Sequence, residues 1–327
     1  TFTMELIKSV IILVIGFVLL LKGADYFVEG SSSVARQLRI PAMIIGMTIV
    51  AMGTSLPECA VSVTASLTGN NTLAVSNVVG SNIFNLMVVC GACALFAPLT
   101  IEKDTLKKEF PLSIFCATLL MVLGYIGMIL GHVDGFIFLI LFVCYLLWMI
   151  NSAKKARAAH QEDKLMQEEG EFVDEEIKIL PMWKCVIFIV GGMIAIKFGG
   201  DFVVDSASAI ALAFGFSQTL IGLTIVAMGT SLPELMTSIV AARKNEVDMA
   251  LGNVIGSNIF NILLVLGVAG AISPVVFLMD NIIDTVVLIV MSLVVLVFAW
   301  TSKVINRKEG IAMLCMYAVY MVYICIR

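Results

Sequence analysis

Charge is what this chain has least of. Asp, Glu, Lys and Arg make up 13% of its 327 residues, about half the roughly 25% of a soluble domain. With 60% hydrophobic residues and a mean hydropathy of +1.06, that shortage excludes a water-soluble globule. Histidine is scarcer still. His132 and His160 both fall outside the long apolar runs, which excludes a histidine relay across a membrane. No HExxH motif or nucleophile–base pair is present, so a membrane-embedded enzyme would lack its working parts. The first apolar run has no basic segment before it and no small-residue cleavage site after it. It reads as a membrane span and not as a secretion signal. The eight cysteines lie almost wholly in apolar runs. Cys90 and Cys93 are spaced CxxC, but with no histidine or second pair nearby, so they read as packing residues.

What is present is a series of apolar runs. A bilayer span takes about 20 mostly apolar residues. Ten such runs are expected at 7–27, 41–68, 72–97, 110–130, 134–151, 183–203, 217–242, 248–273, 281–301 and 310–326. The fold class is therefore an all-α polytopic membrane protein with ten transmembrane helices. Residues 152–181 form the one long polar stretch and read as a charged cytoplasmic linker. It separates a first five-helix unit, 4–151, from a second, 182–327. The loop lysines and arginines fall in odd-numbered loops, from Arg36 and Arg39 to Arg307 and Lys308, and the even loops hold none. Basic residues mark the cytoplasmic side, so both termini are expected outside.

The chain also repeats itself. Residues 46–58 read GMTIVAMGTSLPE and 222–234 read GLTIVAMGTSLPE, with twelve of thirteen letters the same. SNVVGSNIFN at 76–85 matches GNVIGSNIFN at 252–261, and the offset is 176 in both blocks. GADYFVEGSSSVA (23–35) matches GGDFVVDSASAIA (199–211) at the same offset. Asp134-Gly135 pairs with Glu309-Gly310 after a one-residue slip. Such self-similarity marks two copies of one structural unit. Five is odd, so the second copy enters the membrane from the opposite side. The expected architecture is an inverted-topology repeat, which in secondary transporters binds its substrate near the midplane.

The best-matched parts of the two copies are polar. Gly46, Gly53 and Pro57 interrupt the second run, and Pro57 lacks the N–H that a helix needs. A broken helix there offers backbone oxygens around Ala51 to Thr54. By helical spacing Thr54, Ser55 and Glu58 share one face. Ala227, Thr230, Ser231, Pro233 and Glu234 repeat the pattern. In the third run Asn77, Ser81 and Asn85 fall four apart, as do Asn253, Ser257 and Asn261 in the eighth. Gly80 and Gly256 are expected to allow close helix approach, and Asn82 and Asn258 to fasten helices together.

A carboxylate at mid-bilayer costs about 2.5–3.5 kcal/mol on insertion scales, and the chain has two, Glu58 and Glu234. No lysine or arginine lies at matching depth. A bound cation is the natural partner, and protonation is the other. The surrounding ligands are all oxygens, which suit hard cations such as calcium and sodium. Two glutamates balance one divalent ion. Asp25 and Asp201, near the ends of the first and sixth runs, read as structural or as aids to ion access.

GTSLPE and GSNIFN, each present twice in inverted halves, resemble the alpha-repeats of the cation/calcium exchanger superfamily. The likeness is to its bacterial and archaeal sodium/calcium exchangers. It implies secondary active antiport of calcium against sodium by alternating access, the first and sixth helices sliding against the other eight. It implies ion ligands at Glu58, Glu234, Thr54, Thr230, Ser55, Ser231, Ser81, Ser257 and Asn85, with backbone help from Ala51 and Ala227. Many family members carry an aspartate in one copy where this chain has Asn85 and Asn261. Asn261 is taken with the ligand set, and the two amides remove one potential negative charge. The proton-coupled branch usually departs from GTSLPE, so a proton-coupled calcium antiporter is the second expectation. No cofactor is expected beyond the transported calcium and sodium ions. The expected partners are inorganic cations and the lipid bilayer of the cell inner (plasma) membrane, with no nucleic acid. An oligomer is not required, since one chain holds both halves of the site.

Overall fold

The computed structural model describes residues 2–69, 72–167, 180–217, 221, 225 and 227–326. Its long elements are helices. α1 is Phe2–Leu38. α2, Ala42–Thr54, and α3, Leu56–Leu67, are two parts of one path bent by 49°. α4 is Ala74–Phe96, α5 Phe110–Tyr125 and α6 His132–Gln167. In the second half α7 is Met182–Ala213, α8 Leu232–Arg243, α9 Val247–Ile272, α10 Met279–Ser302 and α11 Arg307–Ile326.

Seven helices among the described residues are long and apolar enough to cross a bilayer, and the bent pair α2–α3 makes an eighth. The expected ten spans are therefore not all met by length and composition, for two reasons. α5 has 16 residues, about 24 Å at roughly 1.5 Å per residue, against a hydrocarbon core of about 30 Å. A π turn, Thr105–Glu109, precedes it. The seventh expected span, 217–242, lies partly outside the described residues, and so do residues 168–179 of the expected linker. The start of that linker is helical, since α6 runs on to Gln167.

α4 and α9 form the centre. In each, 78% of the most apolar window is buried inside the protein, against 11% for α1. This is where the polar residues of the repeat sit, so they are shielded from lipid. Glycines let the central helices meet. A Cβ at Gly252 would lie 2.5 Å from the Met43 carbonyl oxygen, and one at Gly256 would lie 2.6 Å from Met47 Cα. The equivalent position at Gly80 has no described atom within 4 Å, so the expected close approach appears at Gly256 alone. α1 and α7 lie outside this centre and pack on each other. Gly16 faces Gly199 and Gly23 faces Gly192, with carbonyls about 3 Å from each would-be Cβ. Small residues of this kind let membrane helices approach closely.

Two β ribbons depart from an all-helical chain. β1, Leu99–Thr100, pairs antiparallel with β4, Val304–Ile305, and β2, Ile129–Leu130, pairs with β3, Val275–Val276. In the repeat β3 is the counterpart of β1, and β4 of β2. Each ribbon thus takes one strand from each half. They join the third loop to the ninth and the fourth to the eighth, odd with odd and even with even. The turns repeat as well. Left-handed backbone occurs at Arg39 and Gly215, at Gly69 and Asn245, and at Met128 and Lys303, three pairs at the repeat offset or its one-residue slip.

Candidate cation site

The break between α2 and α3 falls at Ser55, whose φ and ψ are −85° and 7°. Ser231 repeats it at −93° and 5° before α8. Pro57 and Pro233 follow in the first turn of the next helix. Neither serine caps its own helix. Each reaches across to the other half instead. Ser55 Oγ donates to Glu234 Oε1 at 2.8 Å, and Ser231 Oγ donates to Glu58 Oε1 at 3.1 Å. The helical spacing of Ser55 and Glu58 had suggested one shared face. The bend overrides it and pairs each serine with the opposite glutamate.

Both glutamates are fully buried. They sit in the first turns of α3 and α8, where a helix N-terminus favours negative charge by about 0.3–1 kcal/mol. That is well short of the roughly 5–7 kcal/mol that two mid-bilayer carboxylates cost.

A shell of amides positions these turns. Asn77 Nδ2 donates to Glu58 O at 3.4 Å and to Ser62 Oγ at 3.1 Å. Asn253 Nδ2 donates to Glu234 O at 3.4 Å and to Ser238 Oγ at 2.9 Å. Asn253 Oδ1 accepts from Thr54 Oγ1 at 3.1 Å and from Ser257 Oγ at 3.4 Å. Thr54 Oγ1 also lies 3.3 Å from Ala51 O, which accepts from Ser55 N at 3.1 Å. Asn82 and Asn258 fasten α4 to α9, each amide donating to the other's backbone carbonyl at 3.0 and 3.2 Å. Their own Oδ1 atoms accept from Asn261 Nδ2 at 3.1 Å and from Asn85 Nδ2 at 3.3 Å.

Asn85 and Asn261 open two π turns, Asn85–Val89 and Asn261–Val265. A π turn widens the helix and is found mostly at functional sites. Ala227 begins the short helical turn Ala227–Gly229, just before Thr230.

Several buried oxygens remain without a hydrogen-bond partner among the described residues. They are Glu58 Oε2, Glu234 Oε2, Asn85 Oδ1, Asn261 Oδ1, Ser81 Oγ and Thr230 Oγ1. Four of these form two repeat-related pairs. Buried acceptors without donors are costly, about 1–3 kcal/mol each and more when charged. A cation coordinated by oxygen removes that cost. Among the described residues no three His, Cys, Asp or Glu side chains cluster. The donor set is therefore two carboxylates with hydroxyl and amide oxygens, which suits a hard cation.

Sequence reading named the glutamates, hydroxyls and inner amides of this cluster. It did not assign Ser62 and Ser238 to the cluster, although they stand at the repeat offset. It also missed Tyr145, whose hydroxyl donates to Met47 O at 2.8 Å, inside the π turn Gly46–Val50. Asp25 and Asp201 lie outside the cluster. Asp25 pairs with Lys244 at 2.6 Å, and Asp201 pairs with Lys197 of its own helix at 2.6 Å.

Crevices reach the cluster from the Leu232 end of α8. One of about 380 Å³ is lined by Thr230, Pro57, Pro233, Asp201 and Asp205. Another of about 370 Å³ includes Thr54 and Pro233. At the Arg243 end of α8 a crevice of about 460 Å³ is lined by Asp25, Val240 and Lys244 and touches no residue of the cluster.

The family model described as sodium/calcium exchanger protein matches residues 8–151 and 184–326, which is nearly the whole of both halves. The sodium/calcium exchanger MaX1 of Methanosarcina acetivorans is 33% identical, over 95% of this chain and 97% of its own. The inner membrane protein YrbG of Escherichia coli is 38% identical, over 80% of this chain and 79% of its own. A solved structure of the sodium-calcium exchanger NCX_Mj, soaked with zero Na+ and Ca2+, superposes with a TM-score of 0.82 at 32% identity. It covers 98% of this chain and 99% of that one. The same exchanger has been solved soaked with 2.5 mM Na+ and 0.1 mM Ca2+. Paired buried glutamates, a shell of oxygens and matches that span both halves lead to one assignment: this chain is a multi-pass transmembrane transporter and belongs to the sodium/calcium exchanger protein family.

Proposed function

We propose that the chain exchanges calcium for sodium by alternating access at the Glu58–Glu234 cluster. The observation that carries this reading is the set of partnerless acceptor oxygens around the two glutamates. One calcium ion neutralises both carboxylates, and sodium ions bind the same oxygens in its place. The two loads exclude each other, because two glutamates cannot serve both at once. The ligands are Glu58, Glu234, Thr54, Thr230, Ser55, Ser231, Ser81, Ser257, Asn85 and Asn261, with the carbonyls of Ala51 and Ala227. The chain forms ten spans as two inverted five-helix units, and its odd loops and linker face the cytoplasm of a cell whose inner membrane it occupies. The peripheral pair α1–α7 slides over the core once the site is loaded and neutral.

The test is uptake of radioactive calcium by purified protein in liposomes loaded with sodium, potassium or choline at matched pH. Uptake is expected with internal sodium alone. Equal uptake in choline that follows a proton gradient would replace sodium with protons as the coupled ion. Glu58→Gln and Glu234→Gln keep an oxygen for the serine hydroxyl and remove the charge. Each is expected to abolish uptake, and wild-type rates in either would overturn the site.

A further inference from the structure

The two ends of α8 are not treated alike. At its Arg243 end the chain turns through Asn245, which has left-handed backbone at φ 61°. The turn presents Lys244 and Glu246 to α1. Lys244 Nζ lies 2.6 Å from Asp25 Oδ1 and 3.9 Å from Glu29 Oε2. It also donates to the Asp25 carbonyl at 3.3 Å. Glu246 accepts from Ser32 Oγ at 2.7 Å and pairs with Arg36. Four residues of α1, spread over three turns, are thus held by two residues of one loop.

The repeat supplies the control. Asp25 and Glu29 have counterparts in Asp201 and Asp205 on α7. Lys244 and Glu246 have Thr68 and Asn70. Thr68 bonds back to Thr64 O of its own helix at 2.9 Å. So both copies keep the carboxylates, and one copy alone has the charged loop that grips them. The crevices follow the same asymmetry. The one beside Lys244 stops short of the glutamates, whereas those beside Asp201 and Lys197 reach Thr54 and Thr230.

We propose that Lys244 and Glu246 are positioning residues for exchange, a latch that holds α1 against α8 and keeps the crevice on their side closed. The functional consequence rests on the alternating-access reading above. The latch favours the state whose site opens beside α7. It sets how the protein divides its time between its two faces, and hence the apparent affinity on each. A binding face that is open for a smaller fraction of the time binds more weakly by that fraction. Two partly exposed ion pairs correspond to roughly two- to thirtyfold in such an equilibrium.

The test reads the two crevices directly. Val240→Cys places a thiol in the crevice beside Lys244, and Val204→Cys places one in the crevice beside Asp201. Each is made with the exposed Cys144, Cys315 and Cys325 replaced by serine. Labelling by a water-soluble maleimide is followed site by site with mass spectrometry. Lys244→Gln and Glu246→Gln are expected to speed labelling at position 240 and slow it at position 204. The swapped pair Asp25→Lys with Lys244→Asp is expected to restore the wild-type rates. Unchanged rates, or rates that rise together at both positions, would overturn the latch, as would a swapped pair that behaves like the single variants. None of these readings depends on which ions are transported. A failed calcium–sodium assay would therefore count against the proposed function and leave the latch to be judged by the labelling.

Discussion

Asn85 and Asn261 each give their amide nitrogen to a neighbour across the α4–α9 contact and keep their carbonyl oxygen free. An aspartate at either position could not make that donation. Asn85→Asp would leave Asn258 Oδ1 without its donor and bring a third carboxylate beside two. Leaving such an acceptor unsatisfied costs about 1–3 kcal/mol. The variant is expected to unfold at a lower temperature than wild type without divalent ions, and to gain more stability from added calcium. Thermal unfolding with and without calcium checks both. At this scale the sequence was informative wherever a residue carried charge or recurred at the offset, as Glu58 and Glu234 do. It was misleading where a side chain crosses between halves. Helical spacing placed Ser55 with Glu58, and only the bend at Ser55 shows that it serves Glu234.

Helix interiors follow from hydropathy, and the breaks at Pro57 and Pro233 follow from the missing N–H of proline. The π turns and the two ribbons have no compositional mark. A π turn is one residue wider than an α turn, and a strand of two residues is too short to show alternation. α6 was read as ending at 151 because its tail is polar. Yet that tail, NSAKKARAAHQEDKLMQ, is rich in Ala, Lys, Arg, Glu and Gln, which favour helix in water. Close contacts between helices decide which glycines tolerate a side chain. Gly252→Ala would drive a Cβ to 2.5 Å from the Met43 carbonyl, and backbone cannot move aside as a side chain can. It is expected to abolish stable expression. Gly191→Ala, on the exposed face of α7 with no described atom within 4 Å of the new Cβ, is expected to be neutral or to stabilise by up to about 1 kcal/mol. Size-exclusion profiles in detergent distinguish the two.

Between the halves the contacts are reciprocal throughout the core. Ser55 meets Glu234 while Ser231 meets Glu58, Asn82 and Asn258 exchange amides, and each ribbon draws on both halves. The duplication was plain in the sequence, but the reciprocity was not, because a repeat says nothing of which surface meets which. It leads to a direct expectation. Residues 4–151 and 182–327, produced together as separate chains, should purify as a pair through a tag on one of them and take up calcium into sodium-loaded liposomes. Either chain alone should aggregate, since its glutamate lacks the serine that serves it. A single half that remains monodisperse would contradict this.

The ribbons carry one consequence further. Their strands pair first half with second, and every such pairing has a mirror in the other ribbon. In the terms of quaternary structure the junction is isologous, the same patch meeting itself through a two-fold axis. A polypeptide of five helices, inserted half the time in each orientation, could form the same ribbons with its own twin. The connection between α6 and α7 then adds no contact of its own to the core. What it adds is a fixed one-to-one ratio, and with it the freedom for one copy to acquire Lys244 and Glu246 while the other kept Thr68 and Asn70.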